Sequence, residues 1–365
     1  MPGLMTEAEL DVVLYGATGY TGNLIAEDLA DRGAAFGIAG RSRERLEALA
    51  DELDAEPEVF EVRLDEPERL EAMAARADTV ASAAGPFNEL GPPIFEATLR
   101  AGSHFVDTTG EQAYLRWSAE QDDRVRREDV TFVNATGFDV VPSDLAAYLA
   151  ADQLGPVETV TVALATNARL SDGTQRTMAA STGDWWEFKD GSFQDAVPGR
   201  HRRTFAFPDR DEPSHGVFIP WGDCATAPRS TGADNVRTFF VLPEDRARKY
   251  NLLWPVQWLV AKVPGMDRLL ASRAPDDRGG PDEEERAESW FQILAEAEGP
   301  DGTARAIVEG SDPYGLTGAA TSRMALALAR GEAEDVGVLT PTQAFGPERV
   351  PKLVPEYIEA ARVLD

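Results

Sequence analysis

The stretch that most constrains this chain is residues 11–22, DVVLYGATGYTG. Residues 11–15 are a short apolar run with β-branched and aromatic members, the composition of a strand buried on both faces. Gly16, Gly19 and Gly22 follow, with Ala17, Thr18, Tyr20 and Thr21 between them. Ile25, Leu29 and several alanines then recur at helical spacing as far as Gly33. A glycine turn between strand and helix lets a phosphate approach the backbone. It also aims the helix's free N–H groups and positive dipole end at that phosphate. The spacing is GxxGxxG rather than GxGxxG, and a ligand-free βα turn can share it. The position between an apolar strand and an amphipathic helix is what favours a nucleotide.

The alternation of strand and helix continues through the first 135 residues. Further strands are expected at 35–39, 59–64, 79–82, 104–106 and 130–133. Helices are expected at 44–53, 67–76 and 93–101, with a long charged helix ending near residue 128. This order implies an α/β fold with a doubly wound parallel sheet over residues 7–135. From Thr136 the character changes. GFDVVPSD at 137–144 leads into a helix at 145–153. Alternating runs follow at 159–165, 202–207, 237–242 and 307–309, separated by turn clusters at 171–173, 189–191 and 208–209. These read as a second α+β domain with a mixed or antiparallel sheet, residues 136–315. Residues 274–282 form a Pro/Gly/Asp loop, and 283–298 fit either a strand or a helix. A small-residue apolar segment at 315–330 reads as a buried helix and 356–364 as a short closing helix. Residues 316–365 are therefore expected to be C-terminal helices packing back on the first domain.

Composition narrows the partners. With 365 residues and 43% hydrophobic content, two globular domains are well supported. There are 64 acidic residues against 35 basic ones, a net charge of −29, and only four lysines. Such a surface repels nucleic acid and anionic membranes. It suits a very salty cytosol, where the Debye length falls to about 3 Å and self-repulsion is screened. One cysteine, Cys224, excludes an internal disulfide, and three scattered histidines offer no metal cluster. The first ten residues lack the layout of a signal peptide, and no apolar run is long enough to span a membrane, so a cytoplasmic protein is expected. The apolar, Trp-bearing segment 251–270 fits a homodimer contact, a peripheral membrane-surface helix, or a packing helix interrupted at Pro255 and Pro264. The acidity of the chain favours the packing helix.

The second strand ends at Arg41-Ser42-Arg43, where many dinucleotide sites carry a carboxylate for the ribose 2′-OH. A guanidinium there suits a 2′-phosphate, so NADP(H) is the expected cofactor, held by residues 16–22, Arg41 and Ser42. Arg41 could instead cap the strand or pair with a surface carboxylate. Ala84, Gly85 and Pro86 close the fourth strand and leave room for a flat ring. Asp107 and Glu111 follow the fifth strand, and Asp139 and Ser143 follow the sixth. Asp139, Asp107 and Glu111 are the candidates for proton transfer, although Asp107 and Asp139 could equally cap a helix or tie down a loop. No Tyr-x-x-x-Lys pair occurs, which argues against a short-chain dehydrogenase. Cys224 lacks the surroundings of a catalytic nucleophile and reads as a small buried thiol.

Taken together, these segments resemble the saccharopine dehydrogenase-like oxidoreductases, including the group called trans-acting enoyl reductases. The resemblance runs through GATGYTG (16–22), AGRSRERLEAL (39–49), AGPF (84–87), HFVDTTGE (104–111) and GFDVVPSDL (137–145). It continues through PRSTGADNV (228–236), SDPYGLTGAATSRMAL (311–326) and GVLTPTQAFG (337–346). Val140 stands where the family commonly has serine. The resemblance implies an NADP-binding Rossmann domain, a second α/β domain, and reduction of a C=C or C=N bond in a small molecule. A lipid or isoprenoid substrate ranks above saccharopine-type amino-acid chemistry, which would need a cationic clamp such as Arg169, Arg176 or Arg229. A non-catalytic NADP sensor or scaffold is the alternative from another class.

Overall fold

The structure, a computed structural model, describes residues 8–172, 175, 185–261, 263 and 279–365. Arg176 and parts of the segments 171–173, 251–270 and 274–282 lie outside the described residues.

β1 (Leu10–Tyr15) is buried on both faces because its side chains alternate between two cores. Val12 and Leu14 meet Ile25 and Leu29 on one side. Val13 and Tyr15 meet Leu70, Ile94 and Phe95 on the other. A strand covered twice needs an unbroken apolar sequence, which residues 11–15 supply. β2 (Phe36–Gly40), β3 (Glu58–Glu61), β4 (Ala77–Ser82), β5 (His104–Asp107) and β6 (Thr131–Val133) join it in the order β6-β5-β4-β1-β2-β3. Every pairing is parallel. The strand order reverses between β1 and β4, where open α/β sheets bind ligands. This is the expected doubly wound Rossmann sheet.

The second sheet has nine strands. β7 (Thr159–Thr166) lies at its centre, parallel to β12 (Asn235–Leu242) and antiparallel to β13 (Trp290–Gly299). β10 (Arg202–Phe205) and β11 (Ser214–Phe218) extend one side, and β14 (Gly302–Ser311) extends the other. β8 (Trp186–Lys189) and β9 (Ser192–Asp195) form a hairpin that turns on Asp190 and Gly191, both at positive φ. That turn matches the twist of the flanking strands. The Val141–Ala151 helix packs on the second sheet, and its Leu145, Ala146 and Ala147 belong to the same core as Val12 and Leu14.

Several expectations are corrected. The tail is strand β16 (Ile358–Leu364), not a helix, because it completes the second sheet by pairing antiparallel with β14. Cross-strand partners override the local preference of so short a segment. A seventh parallel strand, β15 (Gly337–Leu339), returns late in the chain to pair with β6. The charged segment before β6 is two helices, Gln112–Ala119 and Asp122–Arg127. Residues 283–298 hold both structures: a short helix, Glu283–Ala287, with an Asp282/Glu285 capping box, then β13. The Glu244–Ala261 helix runs through Pro255 and leaves Leu252, Leu253, Val256 and Leu259 exposed, so it is not a buried packing helix.

The Pro313–Ala329 helix joins the two halves. A Cβ at Gly318 would lie 2.9 Å from the Leu24 Cβ, so the backbones approach as only glycine permits. Thr321 and Thr136 share a hydrogen bond of 3.0 Å between their hydroxyls, and Phe138 N–H donates to the Thr317 hydroxyl at 2.9 Å. Arg323 reaches Asp28 of the first helix at 2.8 Å, and Ser322 donates to the same carboxylate at 2.5 Å. Burial pushes the Asp28 carboxyl up, but hydrogen bonds from Arg323, Ser322 and Arg32 outweigh it and hold the group below the usual range. Stranding a buried charge costs about 3–5 kcal/mol. Glu356 also pairs with Arg323, so Asp28→Ala is expected to cost somewhat less, about 2–3 kcal/mol. Urea unfolding at neutral pH measures this, and a loss under about 0.5 kcal/mol would reject the seam as a main support.

Candidate functional site

Three glycines of the turn do different work. Gly16 has a φ of +87°, and a Cβ there would lie 2.9 Å from Ala84 N. A Cβ at Gly22 would meet Gly16 O at 2.2 Å. These two glycines are demanded by the packing of strand, helix and the β4 end. Gly19 is different: the nearest atom to its Cβ position is Gly16 O at 3.5 Å. The protein itself does not need a glycine there, whereas a phosphate approaching the backbone does. The Tyr20–Asp31 helix begins at Gly19 with no side-chain cap, and the Asn23 N–H bonds back to Gly19 O at 2.9 Å. The opening turn of this helix fits an anionic group. Arg45, which the sequence pattern did not single out, donates to Thr18 O at 2.7 Å and braces the turn.

Ala17 is buried beneath the turn, while Thr18 and Thr21 are half-buried. Tyr20 donates its hydroxyl to Pro281 O at 2.5 Å and meets the Tyr314 ring edge-on at 5.2 Å, so second-domain residues lie over the turn. Arg41 follows β2 directly, is exposed, and forms no ion pair among the described residues. Its neighbour Arg43 is held by Glu47 at 2.8 Å. Ser42 caps the Arg43–Glu52 helix by position, without a side-chain hydrogen bond. An unpaired guanidinium and a hydroxyl beside an uncapped glycine turn fit the phosphates of NADP.

Ala84, Gly85 and Pro86 lie half-buried at the end of β4. Next to them Glu111 accepts the N–H groups of Phe87 at 2.5 Å and Asn88 at 3.0 Å, closing the start of the Phe87–Ala101 helix. Burial pushes its carboxyl up to about 7, against the pull of those two N–H groups. Asp107 is fully buried at the end of β5. It accepts from Asn134 Nδ2 at 2.6 Å, Ala135 N at 2.9 Å and Thr109 N at 3.1 Å, tying the ends of β5 and β6 together. Its pKa is raised to about 6, again by burial opposed by hydrogen bonds.

Asp139 is placed differently. Its carboxylate accepts no hydrogen bond from the described residues, and Oδ2 lies 2.5 Å from where a Cβ on Gly110 would sit. Burial raises it to about 6. It lines a cavity with Phe138, Val162, Leu164, Trp221, Phe239, Phe240 and Ile293, where the other polar side chains are Ser143, Thr238 and Asp223. Asp223 is the residue that sequence reasoning missed. It opens the Asp223–Thr231 helix, is 3% exposed, and its Oδ1 has no hydrogen-bond partner. Its pKa is pushed up to about 7 by burial, with the Ser143 hydroxyl opposing and the charges of Asp144 and Asp139 reinforcing the rise. Nothing in WGDCATAP announces this, because the group gains its character from a cavity built by distant strands.

The remaining candidates are engaged with the protein. The Cys224 Sγ is fully buried 3.8 Å from Val236 O, and burial pushes the thiol up to about 12, so it remains protonated and inert. Arg169 pairs with Glu285 at 3.0 Å and donates to Gly280 O at 2.8 Å. Arg229 donates to Val338 O of β15.

A two-domain architecture with a Rossmann domain and a site at its carboxyl edge defines a dinucleotide-binding protein. Residues 12–133 match the saccharopine dehydrogenase NADP binding domain. This first domain is therefore similar to that family's NADP-binding domain, and NADP is the cofactor class that the match supports. A trans-acting enoyl reductase of Mycobacterium tuberculosis is 40% identical over 148 residues, covering 39% of this chain and 35% of that protein. That of Mycobacterium leprae is 38% identical over 146 residues, 38% of this chain and 35% of that protein. The match thus spans about a third of the length of these relatives. The apo, histidine-tagged saccharopine dehydrogenase (L-Glu forming) of Saccharomyces cerevisiae has the same fold. Its TM-score is 0.62 at 12% identity, covering 97% of this chain and 99% of that one.

Two measurements test this geometry. Gly22→Ala drives a methyl into backbone and is expected to cost about 1–3 kcal/mol in thermal or urea unfolding, whereas Gly19→Ala should change stability by less than about 0.5 kcal/mol. Equal losses would overturn the distinction. Asp223 binds a proton in the folded chain at pH values where the unfolded chain has released it. Its contribution to stability is therefore present below about pH 4 and drains away as pH rises to about 7. Asp223→Asn should flatten the decline in stability between those pH values, and an unchanged profile would show that the carboxyl is not held neutral.

Proposed function

We propose that this chain is an NADPH-dependent reductase that delivers hydride to a C=C or C=N bond of a small molecule with lipid or isoprenoid character. The observation that carries the reading is the cavity of apolar and aromatic side chains in which Asp139 and Asp223 are the only carboxyls among the described residues. The cavity itself measures about 10 Å³, room for one water and not for a hydrocarbon chain. An unsaturated acceptor would therefore lie against its aromatic rim, where two carboxyls raised towards neutrality suit delivery of a single proton. The names of the mycobacterial relatives support an enoyl group as the acceptor.

Residues 16–22 hold the pyrophosphate in this reading. Arg41 and Ser42 hold the 2′-phosphate, and Ala84, Gly85 and Pro86 flank the nicotinamide. When bound, the cofactor supplies the hydride. Asp139 and Asp223 share the proton that the acceptor takes up on the atom next to the hydride, Asp223 being raised in part by the charge of Asp139. Glu111 and Asp107 keep the β4 and β5 ends in place through backbone N–H groups and act as positioning residues. Saccharopine-type chemistry is less well supported, because Arg169 and Arg229 already serve protein partners.

Replacing Arg41 by Asp is expected to weaken NADPH binding by about tenfold to a hundredfold, with little effect on NADH. Titration of nicotinamide fluorescence in molar potassium chloride measures both, and equal losses would reject the 2′-phosphate assignment. Asp139→Asn should lower kcat by about a hundredfold with NADPH affinity unchanged. Binding of NADPH without oxidation by any of a panel of enoyl and imine substrates would favour a sensor instead.

A further inference from the structure

The Glu244–Ala261 helix changes character along its length, charged over residues 244–249 and apolar from Leu252 on. Its inner face is polar and small where it meets the second sheet. Ala247 is fully buried, Tyr250 packs on Gly199, and the Asn251 amide donates to Gly199 O at 2.6 Å and Arg200 O at 3.2 Å. The opposite face should be polar on a water-exposed helix. It is apolar: Leu252 is 77%, Val256 56% and Leu259 60% exposed, with Leu253 and Trp258 beside them. Positions 252, 256 and 259 repeat at helical spacing, so they form one stripe, and Val263 just beyond the helix is also exposed.

The charge of this segment also departs from the rest of the chain. Residues 246–263 contain Arg246, Arg248, Lys249 and Lys262 and no carboxylate, in a protein with a net charge of −29. Two of the four lysines flank the apolar stripe. Lys249 is exposed and one turn before Leu252, with Asp245 at 3.4 Å as its intrahelical partner. An apolar stripe with cationic ends and tryptophans beside it has the composition of a helix that lies in the plane of a membrane interface.

We propose that this face docks on an anionic lipid bilayer, with Leu252, Val256 and Leu259 entering the headgroup boundary and Arg246 and Lys249 meeting lipid phosphates. Charge decides between a bilayer and a second copy of the chain. A two-fold contact would set this cationic patch against itself, whereas an anionic bilayer complements it. The acidic remainder of the surface is repelled by the same bilayer and so orients the molecule with the helix downwards. This proposal is independent of the reductase reading, since it concerns a surface of the second domain and not the cofactor site.

The test is flotation of the full chain with phosphatidylglycerol vesicles and with phosphatidylcholine vesicles in about 0.1 M potassium chloride, where the Debye length is about 10 Å and surface charge is still felt, alongside sedimentation velocity of the protein alone. Wild type should float with phosphatidylglycerol and markedly less with phosphatidylcholine. The triple variant Leu252→Glu, Val256→Glu, Leu259→Glu should lose about tenfold or more in partitioning, while keeping its far-UV spectrum and NADPH affinity. Arg246→Glu with Lys249→Glu, which leaves the apolar stripe intact, should reduce only the phosphatidylglycerol binding. The proposal is overturned if both vesicle types bind equally, if neither variant binds less, or if wild type ignores vesicles and sediments as a dimer that the triple variant converts to monomer.

Discussion

The close passage of the Pro313–Ala329 helix along the Tyr20–Asp31 helix governs the arrangement of this molecule. Gly318 allows the two backbones to meet at Leu24, and the Asp28–Arg323 pair with Ser322 closes the gap in polar terms. A buried ion pair is a weak source of net stability but a demanding one in geometry, since each partner is costly if left alone. The seam therefore holds the second half of the chain in one orientation over the first. From it follow the contact of Tyr20 with Pro281 and Tyr314 and the placement of Thr317 against the backbone of Phe138.

Four carboxyl groups gather near the carboxyl edge of the parallel sheet, and burial raises all four. Their hydrogen bonds separate them into two kinds. Asp107 and Glu111 each accept from backbone N–H groups and stabilise strand and helix ends. Asp139 and Asp223 face the cavity instead, Asp223 with an unpartnered buried Oδ1 and Asp139 with no hydrogen bond from the described residues, the condition under which a carboxyl can hold and release a proton. Exposed carboxylates elsewhere on this acidic chain lack that environment. Residue type alone does not mark these two positions.

Much of the fold was legible because its signals are local. A strand buried on both faces must be an apolar run, so β1, β2 and β4 to β6 were readable within one or two residues. The glycine turn and Arg41 were readable because their chemistry depends on a few adjacent residues. β15 and β16 were not, since short segments at the sheet edges take their structure from partners far away in the chain. Asp223 and Arg45 were invisible for the same reason. The Glu244–Ala261 helix shows a different failure: the overall acidity suggested a buried apolar segment, but the local charge is positive and the face is exposed.

By itself the sequence determined the strand–turn–helix of residues 11–31, the alternation that builds a parallel sheet, and the guanidinium at the end of β2. Each depends on side-chain periodicity, backbone freedom or charge within a few residues. Only the tertiary structure decided which glycine leaves space for a ligand, which carboxyls face a cavity, and which late segments complete each sheet. Those properties arise from burial and from neighbours brought together across the chain. They set how costly a charge, a methyl group or an unpaired N–H is at each place.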